Sequence, residues 1–217
     1  AVLNPPSNAR EASDVFDITV KGTRRVLEFA RKCKVKKFLL VSSGAVYGRQ
    51  SMQIARIRED YAGAPAPVDW HSAYSEGKRM AELLTVLKAR EYGFEAKIPR
   101  CFAFVGPYQK LDGQWAIGNF IRDGLHGGPV IVKGDGTAIR SYMYAADLMI
   151  FLWTIFFKGE SCTPYNVGSA KGINIRSLAR LVSSVLKLKK DIVISRKPDI
   201  KAEIDRYVPS TKRAQRK

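Results

Sequence analysis

Ser43, Tyr74 and Lys78 are the residues of this chain whose types and spacing ask for a chemical explanation. Tyr74 and Lys78 lie four apart, so on a helix both fall on one face, with about 5–6 Å between Cβ atoms. An ammonium placed there favours the ionised form of a phenol that ordinarily loses its proton near pH ~10. The pair therefore predicts a tyrosine base able to take a proton from an alcohol as hydride leaves the same carbon. Ser43 stands 31 residues upstream of Tyr74, at the end of an apolar run, and is expected to offer its hydroxyl to the same oxygen. A Tyr-x-x-x-Lys spacing is common in helices, so its weight depends on the elements that carry it.

Those elements read as alternating strands and helices. Lys37 to Ser43 (KFLLVSS) predicts a buried parallel strand over Lys37–Ser42, whose carboxyl end opens onto a site. Ligands of open α/β sheets collect at such strand ends. A helical pattern from Asp69 to Arg90 has Tyr74 near its start, which lets strand end and helix start converge. Upstream, Glu11–Lys32 carries an apolar stripe of Val15, Phe16, Ile18, Val26, Leu27 and Phe29 at helical period. Ala62–Pro67 (AGAPAP) reads as a loop, Gly134-Asp135-Gly136 as a turn, and Gly106-Pro107 as a stop. Further strands are predicted at Phe94–Arg100, Val130–Lys133, Tyr165–Val167 and Ile192–Ser195, and helices at Ala116–Leu125, Tyr144–Phe157 and Asn174–Leu186. The alternation predicts an α/β fold with a parallel sheet covered by helices on both faces.

Bulk properties narrow the classes. The chain has 217 residues, 46% hydrophobic and 26% charged, which fits an ordinary globular domain with a sizeable core. Its longest apolar stretch, Met149–Phe157, is too short to cross a bilayer, which takes ~20 residues. Cys33, Cys101 and Cys162 are odd in number and widely spread, so neither a disulfide framework nor a zinc spacing is present, and a reducing cytoplasm is the expected compartment. The formal charge is +17, from 37 Lys+Arg against 20 Asp+Glu. Its basic runs, Arg31–Lys37, Lys187–Lys190 and Lys212–Lys217, sit at helix ends or a terminus and lack interleaved aromatics. A solvated face is expected over a nucleic-acid site, and a nucleotide diphosphate remains compatible.

Taken in order, the motifs resemble the extended short-chain dehydrogenase/reductases, specifically the NAD-dependent epimerase/dehydratase family acting on nucleotide sugars. The resemblance rests on GTRRVLEFA (from Gly22), VSSGAVYG (Val41–Gly48), YSEGK (Tyr74–Lys78), RCFAFVGPY (Arg100–Tyr108), GDGTAIR (Gly134–Arg140), YAAD (Tyr144–Asp147) and YNVG (Tyr165–Gly168). It implies a Rossmann-like sheet and an NAD or NADP cofactor, NAD favoured. By resemblance Ser43 hydrogen-bonds the reacting sugar oxygen, Tyr74 is base or acid, and Lys78 holds the nicotinamide ribose. Arg100 and Cys101 fall beside the cofactor. Arg140 is implied as the clamp on a substrate diphosphate, and Asn119 and Asn166 as phosphate or base contacts. The bland alternatives are a turn-capping Ser43, a turn-forming Asn166 and a surface pair of Arg140 with Asp147. No metal is implied.

The departures carry as much information. No G-x-G-x-x-G occurs, and Gly134-x-Gly136 lacks its third glycine. The resemblance places the family's glycine loop in an earlier βαβ unit, so the sheet is expected to be incomplete at its N-terminal side. Residues 1–105 are then the remainder of the Rossmann-like core, and 106–217 mostly a small substrate-binding part with returning core elements. Exposed strand edges follow, met by a homodimer or by a partner supplying the missing half. Gly44 and Ala45 stand where dehydratases and decarboxylases of the group carry acids, which favours epimerisation or keto-reduction of a nucleotide-diphosphate sugar. Ala103 replaces a frequent Asn. Dehydration, decarboxylation, or a non-catalytic binding module are the alternative readings.

Overall fold

The computed structural model describes residues 6–190, 192–199 and 202–217. In chain order the elements are α1 (Ala9–Lys32), β1 (Lys37–Leu39), β2 (Ser42–Ser43), α2 (Ala73–Tyr92), β3 (Glu95–Cys101), β4 (Phe104–Val105), α3 (Ala116–Leu125) and β5 (Ile131–Val132). Then follow β6 (Ile139–Arg140), β7 (Met143–Tyr144), α4 (Ala145–Lys158), β8 (Thr163–Val167), β9 (Ile173–Asn174), α5 (Ile175–Val185), β10 (Val193–Ile194), β11 (Arg206–Tyr207) and α6 (Lys212–Gln215).

β3 is the centre of a parallel sheet. Both β1 and β2 pair with it in one unbroken register, Lys37 opposite Glu95 and Ser43 opposite Cys101, and Leu40 bridges them by donating its N–H to Lys97 O at 2.9 Å. The predicted strand is therefore real, but it is interrupted at Leu40–Val41 and ends on Ser43. β8 takes the other edge of β3, from Thr163 opposite Lys97 to Val167 opposite Cys101. Parallel pairing of strands so far apart in sequence requires helical crossovers, and α2 and α4 provide them.

α1 and α2 lie side by side on one face. Leu27, Leu84, Ala89, Phe94 and Ala96 form the apolar cluster that joins them to the sheet. Gly77, inside the Tyr74–Lys78 turn, lets α1 come close, because a Cβ there would stand 3.2 Å from Thr19 Cβ. The start of α2 is set by Asp69, whose carboxylate accepts from His71 N at 3.0 Å and caps a short 3-10 turn at Trp70–Ser72. The predicted helical run from Asp69 thus resolves into a capped turn followed by the α-helix.

α4 covers the other face through Ile155, which packs with Cys101, Met143, Tyr165 and Val167. Its outer side is uncovered: Ile150, Trp153 and Phe157 are 63%, 53% and 62% exposed. Among the described residues, no strand pairs with the outer edge of β1 and β2. A third cluster, of Ile117, Phe120, Val130, Val132, Leu178 and Val182, gathers α3, β5 and α5 into the C-terminal part. β11 reaches back to pair with β6, Tyr207 opposite Arg140. Among the described residues, no helix is long and apolar enough to cross a membrane, and no three metal-ligating side chains are grouped.

Candidate active site

The carboxyl end of the β1–β2 strand and the first turns of α2 converge on one cleft of ≈ 550 Å³. Ser43, Tyr74, Lys78, Cys101, Trp115 and Tyr207 all line it, with Phe102 and Phe104 as apolar wall. The three residues singled out by spacing are therefore brought together. Ser43 serves two purposes, since its hydroxyl both faces the cleft and accepts from Ala45 N at 3.1 Å, capping the turn Gly44–Tyr47.

Lys78 donates an ammonium proton to Val41 O at 2.9 Å, at the point where the strand pairing is interrupted. An ammonium has three donors, so two remain for a ligand. Its nitrogen lies 5.9 Å from the centre of the Tyr74 ring. Burial pushes Lys78 below its ordinary value, partly opposed by Cys101 and Glu82. Burial likewise pushes Tyr74 above 10.0, and only a hydrogen bond with Ser43 pulls it down. This corrects the expectation from spacing. Burial, not the ammonium, is the leading influence on the phenol, so Tyr74 is held protonated at neutral pH.

Cys101 lines the cleft, where burial pushes its thiol up to about 12. Arg100 does not. Its guanidinium donates to both Glu82 oxygens, from Nε at 2.9 and 3.2 Å and from Nη2 at 2.6 Å, and lies 4.7 Å over the Tyr47 ring. Successive residues of a strand project their side chains to opposite faces, and of these two only Cys101 lines the cleft.

Asn166 is also reassigned. It is 0% exposed, accepts from Tyr47 Oη at 2.8 Å, and donates to Ile57 O and Ser210 O at 2.9 and 3.2 Å. With its hydrogen bonds filled by protein, it ties β8 to the C-terminal segment and meets no substrate. Asn119 donates to Gly113 O and Trp115 O at 2.9 and 3.1 Å, which shapes the loop bearing Trp115 rather than lining the cleft. Arg140 pairs with Asp205, not Asp147, and lies outside the cleft lining in this arrangement. Tyr207, Trp115 and His71 line the cleft without having been marked by sequence.

The buried acids give a pH prediction. Cys101 and Tyr47 rise from ordinary values of 9.0 and 10.0 to about 12 each, chiefly by burial. A folded-state value above the unfolded one means stability that is present below the unfolded value and lost as pH rises toward the folded value. Lys78, lowered from 10.5, works in the opposite sense near that pH and offsets part of the loss. Thermal unfolding followed by circular dichroism is expected to show Tm falling as pH climbs from about 9 to about 11. A Tm that rises over that window would contradict the burial of these groups.

The profile of the NAD dependent epimerase/dehydratase family matches residues 1–168. UDP-glucuronic acid decarboxylase 2 of Arabidopsis thaliana is 33% identical over 190 residues, covering 83% of this chain and 42% of that protein. UDP-glucuronic acid decarboxylase 1 of Xenopus tropicalis is 28% identical over 207 residues, 91% of this chain and 48% of that protein. The chain thus spans about half the length of these curated relatives. Among solved structures, UDP-glucose 4-epimerase of Thermotoga maritima with UDP-glucose superposes at a TM-score of 0.82 and 24% identity, covering 99% of this chain and 68% of that one. dTDP-glucose 4,6-dehydratase of Bacillus anthracis, in complex with NAD, gives 0.77 at 24%, over 93% of this chain and 61% of that one. The fold is the Rossmann-like one they share.

Proposed function

The chain belongs to the NAD-dependent epimerase/dehydratase family, and on that premise we propose that it carries the proton-handling and sugar-facing part of an NAD-dependent enzyme acting on a nucleotide-diphosphate sugar. The observation that carries this reading is the convergence of Ser43, Tyr74 and Lys78 on one cleft. Ser43 hydrogen-bonds the reacting sugar oxygen. Tyr74 carries the proton that this oxygen gains on reduction and takes it up on oxidation. Lys78, anchored to Val41 O, turns its remaining N–H donors toward ligand hydroxyls.

The residues present suit the nicotinamide-ribose end of a dinucleotide, because a half-buried ammonium and a half-buried phenol line one cleft. No glycine-rich cradle for a pyrophosphate occurs in the 217 residues. NAD, when bound, supplies the hydride acceptor and a positive ring that lowers the phenol toward working pH. Phe102, Phe104 and Trp115 keep the reacting oxygen away from bulk water.

Epimerisation or keto-reduction is the finer reading. Gly44 and Ala45, next to Ser43, carry no titratable group, so the site offers a hydride path and a single proton relay. Decarboxylation of a UDP-glucuronate is the second reading, favoured by the names of the curated relatives. Ligand entry is read directly from Trp115. Titrating UDP-glucose or UDP-glucuronate, with and without NADH, is expected to quench tryptophan emission, and Trp115→Phe to abolish most of that change. Unaltered emission together with no calorimetric heat would remove the cleft as a nucleotide-sugar site. Sugar NMR then separates an inverted or reduced product from one that has lost its carboxylate.

A further inference from the structure

His71 lies on the same helical stripe as Tyr74 and Lys78. The short 3-10 turn Trp70–Ser72 runs without a break into α2, and His71, Tyr74, Ser75 and Lys78 follow at the i, i+3, i+4 and i+7 positions of one face. All four line the cleft. The imidazole thus stands one turn before Tyr74, about 6 Å away between Cβ atoms. Its ring is held from two sides. Asp69 Oδ1 lies 2.7 Å from Nδ1 and also accepts from His71 N at 3.0 Å, while the Trp70 ring stacks on the imidazole at 3.6 Å between centroids, 26° from parallel. A carboxylate only accepts, so the neutral ring carries its hydrogen on Nδ1 and keeps a lone pair on Nε2. The side chain is 63% exposed, so its protons exchange with water.

Tyr74 needs such a neighbour. Burial keeps its phenol protonated at neutral pH, yet a phenol that is to take the proton of a sugar hydroxyl must first give up its own. Imidazole is the side chain that takes up and releases a proton around neutral pH. Of the other titratable groups lining the cleft, Lys78 is an ammonium with no lone pair, and burial holds Cys101 on β3 and Tyr207 on β11 in their protonated forms. From α1 the cleft is lined by Val15, which carries no charge. We propose that His71, oriented by Asp69, is the proton acceptor that serves Tyr74: the phenol O–H breaks, its proton settles on Nε2, and the phenolate takes the hydroxyl proton as the alcohol is oxidised. The imidazolium, paired with Asp69, gives its proton to water, and the same path returns one when the ketone is reduced. His71 therefore acts through Tyr74, as the outer end of one relay. The inference rests on the reading of Tyr74 as proton carrier given above and adds where that residue's own proton goes.

The test reads ionisation on the folded chain rather than turnover. A tyrosine fluorinated until it ionises in the range where imidazoles titrate is placed at position 74 and followed by fluorine NMR. His71→Asn leaves a donor for Asp69 but nothing that titrates. It is expected to raise the phenol midpoint by at least about half a pH unit, roughly threefold in proton affinity, which is the attraction of unit charges about 6 Å apart in water. Nitrogen NMR of the chain's two histidines, His71 and His126, is expected to find Nε2 of His71 without a hydrogen in the neutral ring. It is also expected to find His71, and not His126, titrating at higher pH beside the fluorinated phenol than beside phenylalanine at position 74. A turn in which Asp69 and His71 only cap α2 would move neither midpoint. A phenol midpoint unmoved or lowered by His71→Asn, or a hydrogen on Nε2 of the neutral ring, overturns the role of His71 and leaves Tyr74 standing. Turnover kept by Tyr74→Phe removes Tyr74 from the chemistry and this inference with it, so the two failures are told apart.

Discussion

Tyr74→Phe is expected to lower turnover of a nucleotide sugar by about 100- to 10,000-fold, the range of a removed general acid or base, while leaving ligand binding intact. The ring is kept, so the packing of α2 against α1 is undisturbed, and only the proton carried at the phenol oxygen is lost. Burial holds that proton on Tyr74 at neutral pH, with Ser43 as the opposing influence. The loss should therefore appear in kcat with little change in KM, which is the signature of an interaction made in the transition state. Steady-state kinetics with UDP-glucose and UDP-glucuronate would check it. Turnover retained within a few-fold would remove Tyr74 from the chemistry.

Glu82→Ala is expected to cost about 3–5 kcal/mol of stability, the usual penalty for leaving one member of a buried ion pair without its partner. Glu82 and Arg100 side chains are 12% and 15% exposed, with Nη2 and Oε2 2.6 Å apart. Burial alone would lower the Arg100 guanidinium, and the Glu82 carboxylate together with Tyr47 more than offsets it. Glu82 also accepts from Ser42 Oγ at 2.5 Å, which joins α2 to the strand residue just before Ser43. Urea unfolding should show a large fall in midpoint for Glu82→Ala and a smaller one for the Glu82→Met/Arg100→Met double variant, in which no charge is stranded. A single variant losing less than about 1 kcal/mol would mean that water reaches the pair and screens it.

The parts of this molecule legible in sequence are those set by local periodicity. Ala116–Leu125 is predicted and found at the same bounds, because its apolar positions fall on one face and bury Ile117 and Phe120. The strand before Ser43 is equally plain as an apolar run, yet its interruption at Leu40–Val41 is not, since Lys78 claims Val41 O from another element. β11 escapes prediction for the same reason. Two residues, Arg206 and Tyr207, become a strand only because Ile139–Arg140 lies beside them. What could have pointed to Tyr207 is Gly44, whose missing side chain makes room for a distant one.

The site shows the same division. Ser43, Tyr74 and Lys78 were found by spacing because a strand end and a helix start place them locally. Arg100 and Asn166 were misassigned because their partners come from far along the chain. Glu82 takes the guanidinium, while Tyr47, Ile57 and Ser210 bond the buried amide.

The most direct test of a proton relay serving hydride transfer follows an isotope. A UDP-sugar carrying deuterium at C4, the position named in the 4-epimerase relative, is incubated with the chain and NAD, and the nicotinamide is examined by mass spectrometry. Deuterium appearing in the nicotinamide with unaltered Tyr74, and absent with Tyr74→Phe, is the predicted result. A chain that binds both ligands yet neither moves the label to the nicotinamide nor yields any sugar inverted at C4 would contradict the account.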